Sequence, residues 1–277
     1  MSRELRTYQL TRPDGPRPVR LSLDRAQYSQ QIMLEYLDAG RLYEAETCAY
    51  LGSVLQDGDV FLDVGAHVGW FSMFAAALVG PSGQVWSFEA NAANHAHLVQ
   101  HVALNEFGQV HPIHAAVGEA AAVLPMLRRA DNDGGHALRP DLGTVLERLD
   151  DPAFDATWCT SLDGFFGDSN LPPVRAIKID VEGFELRVLR GARSFLARHA
   201  VPVVIAEINH PCLAIAGTDE HELRAFMDGL GYDTLFFHPT EPRLVPLPPG
   251  EVVRTTLVLN YCFVRRTASS TAPGPAT

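Results

Sequence analysis

The chain has 277 residues and a single lysine, Lys178, among 22 Lys and Arg residues. It has no run of basic residues, and its net charge is −11. A nucleic-acid backbone is therefore not the partner this surface is built to hold. No basic segment leads into a short apolar stretch at the N-terminus, and no apolar run is long enough to cross a bilayer. The four cysteines (Cys48, Cys159, Cys212 and Cys262) lie far apart and form no C-x-x-C pair. They suit reduced, buried thiols in a cytoplasmic protein rather than disulfides or a zinc site. Internal repeats are absent. The bias toward arginine has no functional reading of its own, but it draws attention to where the one lysine sits.

What remains is a chain that is 47% hydrophobic and 20% charged, enough for one large α/β domain with an appendage. Apolar stretches at Val60–Val64, Gln84–Glu89, Val110–Ala116, Val174–Val181 and Val203–Glu207 read as strands. They alternate with helical patterns, including Trp70–Leu78, 91–104 and Phe184–His199. That order predicts a mostly parallel sheet with right-handed crossovers and helices on both faces. Two later strands, Tyr232–Phe237 and Leu257–Val264, flank a proline-rich loop, Pro239–Pro249, and predict an antiparallel pair at one edge. Seven strands are expected in all. Residues 118–170 are less regular and read as a loop or flap around Asp131–His136. Residues 1–45, with helices at Ser29–Leu37 and from Tyr43, form an N-terminal segment expected to help line an acceptor pocket. Residues 46–266 form the main domain, and 267–277 a disordered tail.

Two clusters carry chemistry. The loop Asp63-Val64-Gly65-Ala66-His67-Val68-Gly69 follows the first parallel strand, and its glycines let the backbone approach a ligand. The next strand ends in Glu89, placed to accept the two ribose hydroxyls of an adenosine. The loop lacks the G-x-G-x-x-G pattern of a dinucleotide site. Asp63 would repel a pyrophosphate and suits the cationic amino-acid end of S-adenosylmethionine. The second cluster is Ile177-Lys178-Ile179-Asp180-Val181-Glu182-Gly183-Phe184-Glu185, where charges interrupt a buried strand. Unpaired ions there cost several kcal/mol each, so the cluster marks a site or a paired structural network. Alternation puts Lys178 and Asp180 on one side of the strand.

Together these segments resemble the FkbM-type S-adenosylmethionine-dependent methyltransferases. The likeness runs from Tyr43-Glu44 through the glycine loop, Phe88-Glu89-Ala90-Asn91, His114-Ala115-Ala116-Val117-Gly118 and Ser161-Leu162-Asp163 to the Lys178 segment and Glu207. The chain departs from the family at His67 and His114, often Asn, and at Ala90, often Pro. The resemblance implies a Rossmann-like class I methyltransferase fold with S-adenosylmethionine as donor. It places Glu44, Asp63, Gly65, His67, Gly69, Glu89, Asn91, His114, Ala116 and Asp180 around that donor. Asn91 would close over the ribose edge, and the stretch around Ala116 would lie against the adenine.

For the acceptor, strand ends bring forward Asp180, Glu182 and Lys178, with His136 and His210 as further bases. The carboxylates can act as base, as metal ligands or as scaffold. In the metal alternative, Asp180, Glu207 and Asn209 hold a divalent cation, as in catechol-type enzymes. No metal is otherwise expected. His97 and His101, four apart on one helix, read as a solvated face. The expected reaction is O-methylation of a small molecule in natural-product or sugar metabolism, with N- or C-methylation open. An NAD-linked oxidoreductase and a non-enzymatic cofactor-binding scaffold are the competing classes. The sequence leaves the oligomeric state open, a homodimer included.

Overall fold

A computed structural model describes residues 3–11, 15–148, 150–238, 243–253, 255 and 257–266. The expected tail, 267–277, lies outside the described residues, as do residues 239–242 of the proline-rich loop. Strands β1 (Arg3–Leu10) and β2 (Arg17–Asp24) form an antiparallel hairpin. Helices α1 (Tyr28–Asp38) and α2 (Ala45–Val54) follow. The alternating core then runs β3 (Val60–Val64), α3 (Trp70–Val79), β4 (Gln84–Glu89), α4 (Ala92–Asn105) and β5 (Val110–His114). β3 and α3 are buried at every residue, as expected of a central parallel strand and the helix that covers it.

Residues 118–170, expected to be a loop or flap, instead supply most of a second sheet. Its strands are β6 (Ala116–Val117), β7 (Ala122–Leu127), β8 (Ala137–Leu138) and β9 (Phe154–Thr160), in the order β6-β9-β7-β8. A short helix, α5 (Val145–Arg148), joins β8 to β9. Pro125 sits within β7 and Trp158 of β9 is exposed. These features obscure the apolar alternation by which the strands would be read.

After α6 (Leu162–Phe166) and β10 (Val174–Ile179), the expected long helix is two helices, α7 (Glu185–Arg190) and α8 (Arg193–Arg198). The break falls at Gly191, where an added Cβ would lie 2.1 Å from the Gly118 carbonyl oxygen. Asp163 caps the restart by accepting the Ser194 and Phe195 amides at 3.1 and 2.6 Å. The chain ends with β11 (Val203–Ile208), α9 (His210–Ile215), α10 (Glu220–Gly229), β12 (Tyr232–Phe237), β13 (Leu244–Pro246) and β14 (Leu259–Arg265).

The main sheet is ordered β13-β12-β14-β11-β10-β3-β4-β5. β11 through β5 are parallel, while β14, β12 and β13 are antiparallel additions. The seven expected strands are present, and the proline-rich loop adds an eighth. Pro246 is tolerated there because β13 is an edge strand.

Three contacts set the carboxyl end of the sheet. Gly65 has φ +83°, and a Cβ there would stand 1.8 Å from the Asp180 carbonyl oxygen. Glycine is therefore what lets the chain after β3 pass against the end of β10. Asp63 is 2% exposed and accepts from Ser72 of α3 at 2.6 Å, while Ser87 of β4 donates to the Ser72 oxygen at 2.7 Å. Glu185, 1% exposed, accepts the amides of Val181 and Gly183 at 3.1 and 3.2 Å and so closes the turn after β10. His101, expected in solvent, is buried. One ring nitrogen lies 2.6 Å from the Val68 carbonyl and the other accepts the Ser22 amide at 2.9 Å, which fastens β2 to the glycine loop.

Two predictions follow from these contacts. Gly65→Ala meets both a left-handed backbone and a main-chain clash, so it should lower unfolding stability by about 3 kcal/mol or more, read as a shift of the urea midpoint. Burial, only partly countered by the Ser72 bond and Lys178, raises the Asp63 carboxyl to about 6. Burial likewise raises Glu185 to about 7, against its backbone amide bonds. A carboxyl raised in the folded state stabilises it only while protonated, so this contribution fades as pH rises through these values. Between about pH 4.5 and 7.5 the wild type should lose roughly 2–3 kcal/mol relative to Glu185→Gln. Parallel stability curves for the two proteins would refute this assignment.

Candidate functional site

The carboxyl ends of β3, β4, β10 and β11 open into a cleft of about 1230 Å³, its open mouth included. Its floor is Gly65, Ala66 and His67, and one side is Phe88, Glu89 and Ala90. The opposite side is Asp180, Val181, Glu182 and Glu207, with Tyr43 and Glu44 from the start of α2. Ala115, Ala116 and Val117 give an apolar flank. α1 and the 132–138 loop form the roof, with Tyr28, Ser29, Asn132, Gly134 and His136. Ile32, Met33, Met126 and Leu138 add apolar surface there.

Glu89 is 7% exposed, and both its oxygens are aimed by the backbone. Oε2 accepts the His67 amide and Oε1 the Asn91 amide, each at 2.7 Å. Burial raises its carboxyl above the ordinary value, against these two amides and His67. Each oxygen keeps lone-pair capacity for a further donor.

Lys178 is 1% exposed, with Nζ 2.7 Å from Asp180 Oδ2 and 4.9 Å from the centroid of the Phe71 ring. The pairing matches the strand alternation. Burial works to lower the ammonium's pKa, but Asp180, Glu44 and Glu207 outweigh it and hold it well above the usual range. Glu44 accepts Asn260 Nδ2 at 2.6 Å, and burial raises its carboxyl. Glu182 accepts from Asn209 at 3.5 Å and from the Cys212 thiol at 3.2 Å. Burial and the neighbouring Asp180 raise it. Glu207 is raised well above the ordinary range by burial, then by Asp180 and Glu182.

Asp133 is the tie of the roof. It accepts the Ser29 amide at 2.7 Å and Gln30 Nε2 at 2.9 Å, and its Oδ2 lies 2.9 Å from His67 Nε2. Its carbonyl accepts Asn94 Nδ2 at 2.7 Å. Burial would raise its carboxyl, yet His67, Gln30 and the Ser29 amide hold it far below the usual range. His136 faces the cleft and accepts the Arg129 amide at 3.0 Å; burial lowers its pKa. Glu44, His67 and Glu182 all line the cleft with φ between 46° and 53°. Side chains in that left-handed region are strained and gather at sites.

Several expected site residues stand elsewhere. Asp63 is bonded to Ser72 inside the fold and does not line the cleft. Gly69 turns the chain into α3 against Leu98. Asn91 spends its side-chain oxygen on the Ala93 and Asn94 amides as the cap of α4, and Asn94 takes the place at the cleft. His114 stacks on His95, its Nε2 3.2 Å from the Ala90 carbonyl and outside the lining. His210 heads α9 and pairs with Glu220 at 3.4 Å, away from the cleft. Asn209 caps α9 and donates to Glu182, and among the described residues no group of three His, Cys, Asp or Glu side chains is placed to hold a metal. Of the Asp180–Glu207–Asn209 set, Asp180 and Glu207 line the cleft, while Asn209 gives its side-chain oxygen to the Cys212 amide. Sequence reasoning missed Asp133, Trp70, Phe71 and Asn94. Only the Asp-Asn-Asp-Gly-Gly stretch around Asp133 was a signal.

A family model described as the methyltransferase FkbM domain matches residues 63–234. No curated protein matches the chain. Among solved structures, an FkbM methyltransferase from Methylobacillus flagellatus KT is 15% identical with a TM-score of 0.42, over 78% of this chain and 50% of that one. The aligned part of the chain thus spans half the length of that relative. An S-adenosylmethionine-dependent O-methyltransferase from Thermotoga maritima is 12% identical with a TM-score of 0.42, over 94% of this chain and 78% of that one. A similarly dependent methyltransferase from Aquifex aeolicus is 13% identical with a TM-score of 0.42, over 79% and 88%. With 172 of its 277 residues under the family model and the glycine loop, Glu89 and the Lys178 strand all inside that span, the chain belongs to the FkbM family of S-adenosylmethionine-dependent methyltransferases.

Proposed function

We propose that the cleft takes S-adenosylmethionine, with the ribose on Glu89, the adenine against Ala115–Val117 and the methionine end over Gly65 near Glu44. It then methylates a hydroxyl of a small molecule seated beside Asp180. The observation that carries this reading is Glu89, a buried carboxylate at the end of β4 whose oxygens are fixed by two amides and turned to the cleft. The carboxylate wall suits a cationic donor, and a pyrophosphate would be repelled by Glu44, Asp180 and Glu89 together. When bound, the sulfonium supplies an activated methyl group for in-line displacement.

The chain's own contribution is chiefly orientation, which is worth about 7–11 kcal/mol in well-aligned reactions. Lys178 positions Asp180, whose second oxygen is left to receive a hydroxyl. A hydroxyl gives up its proton as it attacks, and a wall of carboxylates offers a place for it. The apolar roof of Ile32, Met33, Met126 and Leu138 fits an acceptor with a hydrocarbon body. We place such an acceptor in natural-product or sugar metabolism in the cytoplasm, with no nucleic acid or membrane as partner.

Titration calorimetry should show S-adenosylhomocysteine binding and no comparable binding of NAD, and Glu89→Gln should weaken the former at least tenfold, roughly one hydrogen bond to a charged group. Preferential binding of NAD would overturn the reading. Removing one partner of the buried pair leaves the other charge stranded, so Lys178→Met should cost about 3–5 kcal/mol of stability. Adding Asp180→Asn should restore a large part of that loss. Strict additivity in the double-mutant cycle would show that the pair does not act as a unit.

A further inference from the structure

Among the described residues, Glu207 Oε2 in the cleft wall and Asn260 Oδ1 on the neighbouring strand are buried oxygens with no hydrogen-bond donor, as is Glu185 Oε2 beyond the lining. Glu207 and Asn260 are direct partners across β11 and β14, so their side chains leave the sheet on the same face as neighbours. A buried acceptor without a donor is costly, and here two stand together. What the wall lacks is one hydrogen, and a protonated Glu207 would carry it.

The charges lead to the same residue. Among the described residues, Lys178 is the one lysine or arginine buried in this wall, and its short bond goes to Asp180. Glu44 and Glu182 add carboxylates from the turns, Glu185 adds one from the start of α7, and Tyr43 and Cys212 could only add negative charge on ionising. The other carboxylates already have donors. Asp180 has Lys178, Glu182 has Asn209 and Cys212, Glu44 has Asn260, and Glu185 has two amides on Oε1, its Oε2 lying buried without a donor outside the cleft lining. Among the described carboxylates, Glu207 alone both lines the cleft and keeps a buried, uncommitted oxygen.

We propose that Glu207 is the proton acceptor of methyl transfer, protonated while the cleft is empty and ionised when a sulfonium charge enters beside it. This rests on the reading of the cleft as the S-adenosylmethionine site. In the transfer, the acceptor oxygen forms its bond to the methyl carbon, and the carbon–sulfur bond breaks with its electron pair on sulfur. The hydroxyl proton moves to the Glu207 carboxylate, and nothing is oxidised or reduced. The neutral thioether no longer favours an ionised Glu207, so the residue keeps the proton until the product leaves. Burial and the like charges beside it, which raise its carboxyl, favour the protonated resting state.

The test needs no acceptor. Calorimetry of the full chain near pH 7, in buffers of different ionisation enthalpy, counts the protons released on binding. S-adenosylmethionine should release up to about one proton more than S-adenosylhomocysteine. Glu207→Gln should abolish the difference, whereas Glu207→Asp and Glu185→Gln should retain it. Equal counts for the two ligands in the wild type, or a difference that survives in Glu207→Gln, would overturn the assignment while leaving the cofactor site intact. Failure of both ligands to bind the wild type would instead overturn the cofactor reading, and this inference with it.

Discussion

One buried ammonium holds the working end of this protein together. Lys178 lies among Asp180, Glu44 and Glu207 in a space where each isolated ion costs several kcal/mol. Without it, Glu44, Asp180, Glu182 and Glu207 would share this wall with no buried lysine among them. With it, Asp180 is fixed in direction, while burial and the neighbouring Asp180 raise the carboxyls of Glu44, Glu182 and Glu207 against the pull of Lys178. The strand that supplies Lys178 also supplies Asp180, and the turn after it supplies Glu182. A single segment therefore sets both the counterion and the groups it governs.

The same segment explains why the fold is arranged around it. β10 is central, between β3 and β11, so Lys178 has strand neighbours on both sides and helices α2 and α3 above it. Its register partner is Asp63 on β3 and Ile205 on β11. Asp63 uses its position to bind α3 through Ser72 rather than to meet a ligand. The sheet thus separates two kinds of buried acid at its carboxyl end. Asp63 and Glu185 serve the chain's own hydrogen bonds, and Glu89, Asp180, Glu182 and Glu207 serve the cleft.

Much of this was legible in the amino-acid order. Apolar five- and six-residue runs spaced by helical patterns give the parallel core, and the positions of Gly65, Glu89 and Asp180 at strand ends place them at the cleft. The miscast residues share a cause. Asp63, Asn91, His114, Asn209 and His210 all sit at strand or helix ends, where capping and ligand contact call for the same side chains. Sequence position cannot tell a cap from a ligand contact, because the choice depends on which helix covers that face. The second sheet was hidden for another reason: its strands are short, one contains Pro125, and its outward face carries Val123 and Trp158 in solvent. Asp133 was invisible as a tie because its partners lie more than 60 residues away in sequence.

The passage of Gly65 against the Asp180 carbonyl has a consequence for how such a cleft changes over time. The gap between its floor and its acid wall is set by main-chain atoms in contact, not by the side chains that line it. Roof residues such as Ile32, Met126 and Leu138 can therefore be exchanged to admit new molecules without moving the line along which a methyl group would travel. Under the proposed function, reaction geometry rests on main-chain contact and substrate choice on the side chains of the roof.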